Sequence, residues 1–123
     1  AYQAAAPLVC EYQTYDTDDC EVLILAHGVV TRAAQAAVSQ LRAKGIKAGH
    51  FRPVTLRPFA GDALRPIADR AKVILVAESS LGQLEALAAK AIYGCSTPME
   101  HFFKPGEGIT DLELVEKVQS LLY

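Results

Sequence analysis

Two apolar, strand-like segments end in polar residues that could do chemistry. His27-Gly28 closes the first of them, and Glu78-Ser79-Ser80 follows the second. Each precedes a predicted helix, whose first turn offers free backbone N–H groups and partial positive charge. If the two strands are neighbours, His27 and Glu78 face one crevice, where they could bind a polar group or move a proton. The simpler alternative gives Glu78 a place in a helix cap and His27 a single structural hydrogen bond.

Two arginines and a glutamine complete the candidate residues. Arg52 and Arg57 flank a proline-containing loop. Guanidinium groups in such a position could clamp a carboxylate or phosphate, or pair with a partner chain, and a solvated surface is the alternative. Gln83 fits a capping box that begins at Ser80, in which its side chain reaches back to the cap.

Metal chemistry is not predicted. The three cysteines are odd in number and widely spaced: Cys10, Cys20 and Cys95. No Cys-x-x-Cys pair exists, so neither a zinc site nor an iron–sulfur cluster follows from the spacing, and the three histidines are scattered. The pattern favours reduced, mostly buried thiols in a cytoplasmic protein.

The elements that must position these residues alternate along the chain. Continuous apolar runs at 21–27 and 72–77 are typical of strands buried on both faces of a parallel sheet. Weaker strands are predicted at 8–13, 46–52 and 98–103, with a turn over 14–19. Helices are predicted after caps at Thr31 and Thr110, after Ser80, and around Pro66, which must lie in a first turn or mark a kink. The order β-β-α-β-α-β-α-β-α predicts an α/β protein with three α/β/α layers and a mostly parallel sheet.

Composition excludes several classes of protein. The 123 residues are 51% hydrophobic, which excludes disorder and fits a single domain spanning 1–123. The net charge of −2 argues against nucleic-acid binding, and no apolar run is long enough to span a membrane. Glycine-rich dinucleotide and phosphate loops and a Gly-x-Ser-x-Gly elbow are missing. The chain begins at Ala1 and its only methionine is Met99, so we expect a piece of a longer polypeptide.

Three segments carry a resemblance to a known family. They are GVVTRAA at 28–34, RPVTLRPF at 52–59 and VAESSLGQ at 76–83. The succession resembles the transketolase C-terminal-like domain in the alpha chain of 2-oxoacid:ferredoxin oxidoreductases, over about residues 21–92. His27 stands where a tyrosine is common in that family, and Ser79-Ser80 replaces a more typical Met-Asn.

The resemblance implies a five-stranded mixed sheet whose first strand is antiparallel. Complete enzymes of the family use thiamine diphosphate, Mg²⁺ and iron–sulfur clusters to oxidise pyruvate, 2-oxoglutarate or 2-ketoisovalerate to an acyl-CoA, and they reduce ferredoxin. This chain lacks a Gly-Asp-Gly cofactor motif and cluster cysteines. The resemblance therefore implies a non-catalytic assembly domain, and it assigns no catalytic, cofactor-binding or metal-binding residue here.

The expected partners are the other domains and subunits of the enzyme, ferredoxin through the complex, and a second copy of the chain. The residues predicted to make inter-domain or crevice contacts are His27, Gly28, Arg52, Arg57, Glu78, Ser79 and Gln83. One alternative is a stand-alone small-molecule binding module of the same fold. Another is the equivalent domain of a pyruvate dehydrogenase or transketolase-type enzyme, against which the segment 52–59 argues.

Overall fold

The structure, a computed structural model, describes residues 12–26, 30–53, 61–78, 83–94, 97–103 and 109–122. Its elements in chain order are β1 (Tyr12–Tyr15), β2 (Val22–Leu25), α1 (Thr31–Ala43), β3 (Ala48–Pro53), α2 (Gly61–Arg70), β4 (Val73–Glu78), α3 (Gln83–Ala91), β5 (Met99–Phe103) and α4 (Asp111–Leu122). This is the predicted order of strands and helices. Four predicted site residues lie outside the described residues: His27, Gly28, Arg57 and Ser79.

The five strands form one sheet in the order β1-β3-β2-β4-β5. β1 pairs with β3 in the antiparallel direction, whereas β3, β2, β4 and β5 run parallel. The mixed sheet with an antiparallel first strand is therefore confirmed. β2 and β4 are neighbours, with Leu25 opposite Val76. A crevice between His27 and Glu78 was predicted on the condition that their strands are neighbours, and this condition is met.

Helices cover both faces of the sheet and give three layers. One apolar core lies between α1, α4 and the face of the sheet that carries Ile24 and Leu75. The other lies between α2, α3 and the opposite face, which carries Leu23 and Val76. Every residue of β2 and β4 is buried, as expected for strands between two helical layers. Each such large aliphatic side chain contributes roughly 1.5–3 kcal/mol to folding.

The first strand ends later in the chain than predicted. β1 ends at Tyr15, so Thr14 and Tyr15 belong to the strand and not to the predicted turn. β3 supplies the reason, since Thr14 pairs with Phe51 and Tyr15 with His50. The turn begins at Asp16, whose φ is 57°. Residue propensities alone predict the turn too early because they take no account of the pairing of β1 with β3.

The turn between β1 and β2 packs closely on β3. Arg42 on α1 holds the turn with a 2.8 Å salt bridge to Asp19, and it donates hydrogen bonds to the carbonyl oxygens of Asp16 and Ala48. A Cβ at Gly49 would lie 2.8 Å from the Asp16 carbonyl oxygen and 2.9 Å from Cβ of Cys20. Glycine is therefore required at position 49 because a side chain would collide with the turn, and not because of the backbone conformation.

The predicted cap of α1 is wrong. Thr31 is the first helical residue, and Val30 holds the N-cap position without a side-chain hydrogen bond. Because the backbone of Val30 is already helical, the Thr31 hydroxyl lies within the first turn and cannot act as the cap. The other end is as predicted, since Gly45 follows the helix with a φ of 85° and its N–H donates to the Arg42 carbonyl oxygen.

The predicted cap of α4 is confirmed. The N–H of Glu113 donates to Oγ1 of Thr110 at 3.2 Å, and the N–H of Thr110 donates to Oε1 of Glu113 at 3.0 Å. Ile109 and Leu114, the predicted staple, are buried in the same core. In α2, Pro66 lies beyond the first turn, which excludes one of its two predicted placements. No helix within the described ranges is long and apolar enough to cross a membrane.

Candidate functional site

The carboxyl ends of the parallel strands bring the described candidate residues to one edge of the sheet, but not to one crevice. Arg52 lies near the end of β3, and Glu78 is the last residue of β4. Side chains alternate between the two faces of a strand. Arg52 shares the α1 face with Ala48, whereas Glu78 shares the α3 face with Val76. The edge therefore carries two separate clusters of polar residues.

The first cluster surrounds Glu78, whose residue surface is 1% exposed. Its Oε2 accepts a 3.0 Å hydrogen bond from the backbone N–H of Leu84, in the first turn of α3. Its Oε1 lies 3.3 Å from Nε2 of His101 on β5. We call Glu78, Leu84 and His101 the Glu78 cluster. A buried carboxylate is costly without such partners, and the positive end of the helix supplies one of them.

Strand register explains how His101 reaches Glu78. His101 pairs with Val76, two residues before Glu78, so both side chains lie on the α3 face of neighbouring strands. From the sequence, Glu78 was expected to face His27, and His101 had no predicted role in the crevice. The available signal was a histidine two residues from the end of a predicted edge strand. Glu78 takes the simpler role considered for it, because it accepts a backbone N–H at the start of α3.

The second cluster centres on His50, which is fully buried in β3. Its Nε2 lies 3.2 Å from the carbonyl oxygen of Ala26, and its ring stacks on Tyr15 at 5.5 Å between centroids. Burial lowers the pKa of His50 from 6.5 to about 4, so the ring is neutral at pH 7. Because a carbonyl only accepts, Nε2 carries the proton and Nδ1 is left as an acceptor.

Arg52 and Thr31 lie at the same end of the α1 face as His50. Nη1 of Arg52 donates a 2.9 Å hydrogen bond to Oε1 of Gln13 on β1. At this end of the α1 face, three buried side-chain atoms find no hydrogen-bond partner among the described residues: Oγ1 of Thr31, Nδ1 of His50 and Nε of Arg52. We call these three residues the Arg52 cluster. A buried polar group without a partner costs roughly 1–3 kcal/mol, so three at one edge are unusual.

The described residues do not fit a metal ion or an iron–sulfur cluster. Within the part of the chain that the structure describes, no group of three His, Cys, Asp or Glu side chains could hold a metal. Cys20 is buried, and burial raises the pKa of its thiol, which disfavours the thiolate that metals bind. Its environment is that of a structural cysteine.

Comparison with known proteins identifies relatives of the whole domain. The family model described as pyruvate:ferredoxin oxidoreductase core domain II matches residues 20–110. The chain is 32% identical over 117 residues to the ketoisovalerate oxidoreductase subunit VorB of Methanothermobacter marburgensis. That match covers 95% of this chain and 29% of the relative, so the chain spans less than a third of the relative's length.

Two solved structures share the fold. A 2-oxoglutarate:ferredoxin oxidoreductase from Magnetococcus marinus superposes with a TM-score of 0.82 at 19% identity, over 96% of this chain and 21% of that one. A split-gene transketolase, solved as an inactive beta4 tetramer, gives a TM-score of 0.75 at 26% identity, over 85% of this chain and 39% of that one. The sheet order and layers found here are thus those of a domain shared by both kinds of protein.

Proposed function

The chain belongs to the pyruvate:ferredoxin oxidoreductase core domain II family, and we propose that it is a non-catalytic assembly domain of a thiamine diphosphate-dependent 2-oxoacid:ferredoxin oxidoreductase. Such an enzyme decarboxylates a 2-oxoacid oxidatively to an acyl-CoA and passes the electrons to ferredoxin. The relative named as a ketoisovalerate oxidoreductase subunit favours a branched-chain 2-oxoacid over pyruvate.

The proposal rests on how much of this chain, and how little of its relative, the match covers. A family match over residues 20–110 fills most of this chain, yet the chain corresponds to only 29% of its relative. We infer that this domain contributes contacts to an enzyme whose reacting groups lie in the remaining length. We therefore propose that 1–123 is one domain of a longer alpha chain. Thiamine diphosphate, Mg²⁺ and the iron–sulfur clusters are then bound by other domains or subunits, in a cytoplasmic complex.

The carboxyl edge of the sheet is the proposed contact surface with the rest of the enzyme. Arg52 is half-buried there, and its Nη1 donates a 2.9 Å hydrogen bond to Oε1 of Gln13. Further contacts at this edge are proposed from the sequence alone for His27, Gly28, Arg57, Ser79 and Gln83. An Arg–carboxylate pair buried at such a junction costs several kcal/mol to break from one side.

Substitution of Arg57 tests the contact surface. We expect Arg57→Ala to weaken assembly of the complex while the domain stays folded, as judged by circular dichroism. Arg32→Ala is the matched control, because it removes the same charge from an exposed position on α1. The amount of partner subunit that co-purifies with the tagged chain is the measurement. Equal recovery from the wild type and Arg57→Ala would refute the assigned role of Arg57.

A further inference from the structure

We draw no further inference here: the strongest candidate, the open groove between the N-terminal ends of α1 and α4 that is lined by Arg32, Ala33, Ala36, Ile109, Thr110 and Asp111, rests on two helix N-termini and a pair of small residues, and nothing among the described residues shows what would cover or fill it.

Discussion

His101 on β5 places its Nε2 atom 3.3 Å from Oε1 of Glu78 at the end of β4. The other carboxylate oxygen of Glu78 accepts the backbone N–H of Leu84. One buried carboxylate therefore joins two parallel strands to the start of the helix that connects them. The relationship explains why a charged residue ends a strand that is buried along its whole length.

Removal of that carboxylate should destabilise the domain strongly. We expect Glu78→Ala to lower the free energy of unfolding by about 3 kcal/mol, because the N–H of Leu84 loses its acceptor and the half-buried imidazole of His101 loses the neighbouring carboxylate. Glu78→Gln keeps one acceptor oxygen and should cost about 1 kcal/mol. Urea unfolding gives both values. Glu100→Ala, an exposed position on β5, is the control, and a loss there equal to that of Glu78→Ala would contradict this role.

His50 makes stability depend on pH. Its pKa is about 4 in the fold and 6.5 when unfolded, so between these values the unfolded chain binds a proton that the folded chain does not. Stability is therefore complete above pH 6.5, and it falls by roughly 3 kcal/mol on acidification to pH 4. Urea unfolding at several pH values should show a flatter profile for His50→Leu than for the wild type. Identical slopes for the two proteins would show that His50 does not titrate in this way.

Gly49 and Gly45 should respond differently to the same added methyl group. Gly49→Ala places a Cβ under 3.0 Å from Asp16 and Cys20 and should cost about 2 kcal/mol or more, since the backbone there has no room to give. Gly45→Ala meets nothing within 4 Å, and its positive φ alone should cost about 1 kcal/mol. Thermal unfolding of the two variants ranks them. A larger loss at Gly45 would contradict the close contact at Gly49.

The capping box of α4 offers a milder test. Thr110→Ala removes the hydroxyl that accepts the N–H of Glu113 and should cost about 1 kcal/mol. Thr110→Ser keeps the hydroxyl and should stay within about 0.5 kcal/mol of the wild type. The free energies of unfolding are compared in urea. If the two variants lose the same stability, the hydroxyl does not cap the helix.

The fold could be predicted because its signals are local. The apolar runs that became β2 and β4 are continuous, and the Thr110 capping box lies within four residues. The antiparallel direction of β1 came from the family resemblance. Thr31 was misplaced because capping depends on the backbone angles of Val30, which residue types alone do not determine.

The candidate site was harder to predict because its contacts are distant in sequence. His101 meets Glu78 only through the register of β4 with β5, and His50 meets Ala26 only through that of β3 with β2. Arg52 and Glu78 were both correctly placed at the carboxyl edge. Their separation onto opposite faces follows from strand alternation once the bounds of β3 and β4 are known.

Anaerobic purification of the native protein from its source is the measurement that tests the central claim most directly. We predict that polypeptides with thiamine diphosphate and iron–sulfur clusters co-purify with the chain, and that the sample transfers electrons from a 2-oxoacid to ferredoxin. Comparing 2-ketoisovalerate with pyruvate and 2-oxoglutarate in that sample identifies the substrate. A solitary protein with no such partners and no 2-oxoacid-dependent electron transfer would contradict the assembly role and favour a stand-alone binding module.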